Sequence, residues 1–207
     1  MFAKNYHNIK LNMALSPYDG GVYIELMKKA YARLGFIVKP FSIKNLKNIH
    51  YVMLNWFESA SLKGLIKRTL QLFYLIAGNK KIVWTMHNKV PHDVKYKKIY
   101  KIFMLFLEMV SYKIIIHCHE TLYFLSFKQK AVYVPHPNLI GIYGEYKKGG
   151  GIENSTLKML FFGNVRPYKN VELLIQIIRG LNFPYLILTV CGPAEKRYGQ
   201  KILEAAS

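Results

Sequence analysis

Phe161-Phe162-Gly163-Asn164-Val165-Arg166-Pro167-Tyr168-Lys169-Asn170 reads as the end of a buried strand, a tight basic loop and the entry to a helix. Leu157 to Phe162 supplies the apolar strand, and Val171 to Arg179 supplies the helix. Gly163 lets the backbone approach a ligand closely as the strand ends. Arg166 and Lys169 set two cations beside a helix start, where free N–H groups and the positive dipole end stabilise an anion. Asn170 is the expected cap of that helix, with Glu172 in its first turn. Gly163, Arg166 and Lys169 are therefore candidates for holding phosphates. An ordinary β–α turn with solvated cations would use the same residue types.

Upstream, strand and helix patterns alternate. Ile9 to Leu15 reads as a strand, and Ser16-Pro17-Tyr18-Asp19-Gly20-Gly21 as a turn-rich loop. Val22, Leu26, Ala30 and Leu34 recur every four residues, one face of a helix that Gly35 stops. Further strands are expected at Phe36 to Lys39, Ile49 to Leu54, Lys81 to Met86, Lys113 to Cys118 and Ala131 to Val134. Helices are expected at Leu62 to Ala77, Lys95 to Ser111 and, short, Thr121 to Phe127. Such alternation predicts an α/β fold, a Rossmann-like parallel sheet with helices on both faces. Ligands then lie outside the carboxyl ends of the strands.

The rhythm breaks after Val134. Prolines, glycines including Gly149-Gly150-Gly151, and little apolar periodicity mark residues 136–156 as an interdomain linker. This divides the chain into a first Rossmann-like domain, 1–135, and a second, partial one, 157–207. After Leu157 to Phe162 and its helix come a strand at Tyr185 to Cys191 and a last helix beyond Pro193.

The bulk properties bound the answer. With 207 residues, 52% of them apolar, the chain can bury a real core and is not disordered. Thirty Lys and Arg against 11 Asp and Glu give a net charge of +19, which favours anionic partners. Richness in Lys, Asn, Ile and Tyr, as an AT-rich genome produces, accounts for part of that charge. No nucleic-acid motif accompanies it, and the basic residues are spread along the chain, so specific nucleic-acid binding is not expected.

Two cysteines, Cys118 and Cys191, make no disulfide framework. No signal peptide or membrane span is expected, so the predicted location is cytoplasmic, peripheral at most on the inner face of the membrane. His117-Cys118-His119-Glu120 could place two histidines on one strand face, but no second ligand cluster supports a metal site. No cofactor is expected.

Several segments together resemble the retaining family 4, or "glycosyl transferases group 1", branch of the GT-B glycosyltransferases. They are Asn12 to Gly35, Trp84-Thr85-Met86-His87-Asn88-Lys89-Val90-Pro91-His92-Asp93, Val134-Pro135-His136-Pro137-Asn138 with Gly141-Ile142-Tyr143, and Leu160 to Asn170. The resemblance implies a hexosyltransferase-type enzyme acting in surface polysaccharide synthesis. A nucleotide-sugar would be its donor and a glycan or lipid-linked molecule its acceptor. In that family a basic pair after the first donor-domain strand binds the donor diphosphate. Lys169 matches the lysine. Asn164 stands where the arginine is usual, and Arg166 lies two residues later.

The resemblance further implies that His87 contacts the transferred sugar and that the Gly20-Gly21 loop approaches the acceptor or a phosphate. His92 and Asp93 are weaker cleft candidates; Asp93 equally suits a helix cap. The family's downstream glutamate segment has no counterpart in these residues. The sequence thus reads as a fragment, a truncated gene product, or one half of a split transferase. The alternative is a non-catalytic remnant that binds a membrane surface or a completing donor-domain subunit.

Two apolar segments are basic. Lys63, Lys67 and Arg68 interleave with Leu62, Leu65, Ile66 and Leu70, and Lys95, Lys97, Lys98 and Lys101 precede Ile102 to Leu107. Their apolar faces are expected to pack on the sheet, leaving the lysines to face solvent or an anionic membrane.

Overall fold

A computed structural model describes residues 11–87, 96–139, 142, 144, 156–181 and 183–206. The chain divides into two compact units, Met1–Leu139 and Ile140–Ser207.

The first unit is built on six parallel strands: β1 (Asn12–Ser16), β2 (Ile37–Pro40), β3 (Tyr51–Asn55), β4 (Lys81–Met86), β5 (Lys113–Ile116) and β6 (Ala131–Tyr133). They lie in the order β2-β1-β3-β4-β5-β6. Helices α1 (Gly21–Arg33), α2 (Leu62–Ala77) and α3 (Lys97–Val110) make three of the crossovers. Short 3-10 turns at Ile43–Asn45, His119–Phe124 and Lys128–Lys130 complete the connections. The expected short α-helix at Thr121 to Phe127 is therefore a 3-10 segment that starts earlier, at His119.

Both faces of the sheet are apolar, as a doubly covered parallel sheet requires. Val52, Leu54, Ile82, Trp84, Ile114 and Ile116 point to the α2 and α3 side with Leu65, Leu72 and Leu107. Met13, Leu15, Met53 and Ile115 point to the other side, where Tyr23 and Ile24 of α1 cover them. Trp84 and Phe57 are fully buried. Each such side chain contributes roughly 1.5–3 kcal/mol by leaving water.

Helix ends follow their local chemistry. Gly35 takes φ +86 after α1, and the Phe36 N–H reaches back to the Tyr31 carbonyl at 3.0 Å, a left-handed C-terminal cap. The Ser61 hydroxyl accepts the Gly64 N–H at 3.1 Å and caps α2.

The second unit is a βαβα element: β7 (Leu157–Phe162), α4 (Val171–Gly180), β8 (Leu186–Cys191) and α5 (Lys196–Ala206). The two strands are parallel, with Leu157 opposite Leu186 and Phe162 opposite Cys191. Val165, Val171, Ile175, Tyr198 and Ile202 form its core, with Phe161, Leu188 and Val190 packed against them. The other face of this two-stranded sheet is open: Leu160, Phe162 and Ile187 are at least half exposed.

Candidate functional site

The strand order places the reversal of winding between β1 and β3. From β1 the chain steps to β2 on one side, then returns to β3 on the other. At such a switch point the loops leaving the two strands part, and a crevice opens at their carboxyl ends. Five rings gather at this end of the first unit. Tyr23 enters from the first turn of α1, Trp56 follows β3, His87 follows β4, His117 follows β5, and His136 follows β6.

The contacts are close. Trp56 and His87 stack with centroids 4.2 Å apart and planes 11° from parallel. Tyr23 meets Trp56, His87 and His117 edge-on at 5.4, 5.1 and 5.7 Å. His117 lies 5.3 Å from both His87 and His136. Trp56 has φ 45°, a left-handed backbone rare for a bulky residue, which turns the chain sharply as β3 ends.

The hydrogen bonds fix one tautomer. His117 Nδ1 lies 2.7 Å from the Val134 carbonyl oxygen, which can only accept, so Nδ1 carries the proton. In neutral His117, Nε2 then accepts the Tyr23 hydroxyl proton at 3.1 Å. Burial raises the Tyr23 pKa above its ordinary value, which keeps that hydroxyl a donor.

His87 is different. Its Nε2 is buried and has no hydrogen-bond partner. Burial, then the neighbouring His117 and His136, push its pKa down to about 4. His87 is therefore a neutral imidazole at pH 7 with a polar atom held ready for a ligand. A buried polar atom without a partner is costly, and a hydrogen-bonding group of a ligand would satisfy it.

The β1–α1 loop closes the same end. Gly21 has φ +77 with nothing near the position of a Cβ, so glycine is favoured there by backbone conformation alone. Gly20 has extended backbone, and a Cβ there would lie 2.8 Å from Ile24 Cγ1. No side chain caps α1, and no acidic residue sits in its first turn. Lys28 bonds Glu25 at 2.6 Å and lies 4.1 Å from the centre of the Tyr18 ring, tying the loop to the helix.

In the second unit, Gly163 follows β7 with φ +133, and Lys169 Nζ lies 3.9 Å from where its Cβ would be. The lysine therefore reaches back over the glycine. The loop is laced to its neighbour: the Gly163 N–H donates to Cys191 O at 2.9 Å, and the Val165 N–H to Pro193 O at 2.8 Å. Gly192, with φ +143, packs directly on the Gly163 backbone. Arg166 is exposed at the head of a 3-10 turn, Pro167–Lys169.

The start of α4 departs from expectation. Asn170 makes no side-chain cap; it adopts a left-handed backbone, φ 51 and ψ 40. The buried Tyr198 hydroxyl of α5 accepts the Val171 N–H at 3.1 Å, with the Glu172 N–H at 3.5 Å. Those two donors are thus taken by Tyr198, while the Lys169 ammonium lies beside Gly163 and within about 6 Å of the Phe161 and Tyr168 ring centres.

His92 and Asp93 lie outside the described residues. His117 and His119 do not share a site: His117 joins Tyr23, whereas His119 stacks on Tyr133 at 4.0 Å. Among the described residues no group of three His, Cys, Asp or Glu side chains is placed to hold a metal. No described helix is long and apolar enough to cross a membrane.

Sequence reading singled out His87 but not the roles of Tyr23, Trp56, His117 and His136. The available signal was positional, because each follows a strand or opens the first helix, at the end of the sheet where ligands bind.

No protein-family model matches the sequence, and no curated protein matches it. Among solved structures the chain is similar to Anabaena HepE in complex with UDP. The TM-score is 0.65 at 11% identity, over 95% of this chain and 65% of that one. The chain thus spans about 65% of the length of that neighbour. At this identity the likeness is one of fold, and the chain is an α/β protein with a Rossmann-like parallel sheet.

Proposed function

We propose that the chain is the acceptor-side domain, with the beginning of the donor domain, of a glycosyltransferase that uses a nucleotide-sugar. The observation that carries this reading is the neutral, unpartnered His87 among Trp56, Tyr23 and His117, at the carboxyl end of a Rossmann-like sheet. The fold likeness to a UDP-bound protein and the resemblance of the motifs to GT-B transferases support it.

In the reaction, the bond from the sugar's anomeric carbon to the diphosphate oxygen breaks. A bond to an acceptor hydroxyl oxygen forms, and the hydroxyl proton passes to the released diphosphate or to water. Lys169, helped by Arg166, neutralises the departing diphosphate, and Gly163 lets it approach the backbone. His87 hydrogen-bonds a sugar hydroxyl, with Trp56 and His117 fixing its ring. Gly20 and Gly21 let an acceptor approach the start of α1. His92 and Asp93 stay as further candidates on sequence grounds. The acceptor is a glycan or a lipid-linked glycan.

The test is release of UDP from UDP-hexoses in the presence of glycan acceptors. His87→Ala should lower turnover at least about a hundredfold while leaving UDP affinity within about twofold. Equal turnover in the variant would remove His87 from the reaction.

The open face of the β7–β8 sheet favours a second element of this reading. Leu160, Phe162 and Ile187 are exposed on strands that are otherwise part of a core. Further polypeptide, in the same protein or in a completing subunit, would cover them. A chain without activity of its own would serve as such a partner. Activity that appears only on adding a donor-domain protein would favour the split arrangement.

A further inference from the structure

Helices α2 and α3 are apolar on two sides, where a helix on a soluble protein needs one. Leu65, Leu72 and Leu75 of α2, with Phe103, Met104 and Leu107 of α3, pack on the sheet. A second stripe faces outward. Leu62, Ile66, Leu70 and Phe73 run along α2 at helical spacing, and Ile99 and Ile102 run along α3. Together they line an almost wholly apolar groove of about 350 Å³. Its edges protrude rather than recede: Ile102 is 69% and Leu70 64% exposed, with Leu105 and Met109 of α3 also exposed beyond them.

The exposed lysines of these two helices have no exposed acid beside them on either helix. Lys63 and Lys67 on α2 and Lys97, Lys98 and Lys101 on α3 are all exposed. Helix α2 contains no acidic residue. The one acid of α3, Glu108, is buried and accepts the Ser126 and Phe127 N–H groups at 2.7 and 3.2 Å. Arg68 stacks on Phe57 and takes no part in the rim.

We infer that this α2–α3 face docks on an anionic lipid bilayer. Protruding aliphatic and aromatic side chains between lysines are what a headgroup–acyl boundary accepts: the apolar tips enter and the ammonium groups stay at the phosphates. A second copy of the chain does not fit, because it would bring five lysines against five with no exposed acid on either helix. The helices lie on the bilayer and do not cross it. None of these side chains belongs to the ring cluster around Tyr23 or to the loop at Gly163.

The experiment is flotation with vesicles of phosphatidylcholine alone or mixed with phosphatidylglycerol. Wild-type protein should float with the mixed vesicles and not with the neutral ones. The triple variant Lys63→Gln, Lys67→Gln, Lys101→Gln should lose affinity on the order of a hundredfold, about fivefold per lysine. Removing three exposed lysines elsewhere, Lys29→Gln, Lys158→Gln, Lys201→Gln, should change it by no more than about threefold, the residue of long-range charge. Leu70→Ser with Ile102→Ser, both on the surface and checked for fold by circular dichroism, should lose at least about tenfold. Equal losses from the two lysine triplets, full binding by the serine variant, or no flotation of wild type would overturn the inference. So would a wild-type dimer in sedimentation equilibrium that the serine variant abolishes.

Discussion

The indole of Trp56 lies flat against the imidazole of His87, 4.2 Å between centroids, at the end of two adjacent parallel strands. Tyr23 closes this stack edge-on, and the partial burial of the ring, with His117 and His136 nearby, lowers the His87 pKa.

The first prediction is a pH dependence. Burial beside His117 and His136 lowers the His87 pKa from its ordinary 6.5 to about 4. Between those values the unfolded chain binds a proton that folded His87 does not. Stability should therefore be full above pH 6.5, fall as pH drops towards 4, and fall no further from this group below it. His87→Gln should flatten the profile by about 1–2 kcal/mol, once solvent screening of a part-exposed ring is allowed for. Urea unfolding across the range measures it, and the His87 ring proton should titrate by NMR near pH 4. A midpoint near 6.5 would contradict the packing.

The second concerns Tyr198. Its hydroxyl is the acceptor for the first N–H groups of α4, and it is buried. Tyr198→Phe keeps the ring and orphans those donors. The expected cost is about 1–3 kcal/mol in urea unfolding. No change would mean that water serves the helix start equally well.

The third separates two glycines. A Cβ at Gly192 would lie 2.1 Å from the Gly163 carbonyl oxygen, at φ +143, whereas Gly21 at φ +77 faces open space. Gly192→Ala should destabilise the second unit by more than about 3 kcal/mol, through backbone strain and collision together. Gly21→Ala should cost only about 1 kcal/mol. Thermal melts of the two variants compare them directly, and similar melting temperatures would refute the contrast.

Much of this fold is written locally. The Leu62–Ala77 helix, the Lys81–Met86 strand and the Leu157–Phe162 strand fall where the sequence predicts them, residue for residue. Each has strong apolar patterning and a clear breaker beside it, Gly78 or Gly163. The Lys113 strand stops early, at Ile116, because His117 turns to the Val134 carbonyl. The ring cluster is not local: Tyr23 and His117 are 94 positions apart and meet only through strand order. Tyr198, 27 residues beyond Val171, takes the role expected of Asn170, which no capping pattern foretells. The second apolar stripes of α2 and α3 were visible as residues but not as an uncovered face. Periodicity says that a side chain shares a face, not whether anything packs on it.

We propose that the loop after β7 holds a nucleotide diphosphate, and titration calorimetry with UDP and with uridine is the sharpest test. UDP should bind at least about tenfold more tightly than uridine, and Lys169→Ala should weaken UDP by roughly 10–150-fold, the loss of one charge-assisted contact. Arg166→Ala should have a smaller effect, and uridine affinity should not change in either variant. Unchanged UDP affinity in Lys169→Ala, or equal affinity for UDP and uridine in wild type, would contradict the account.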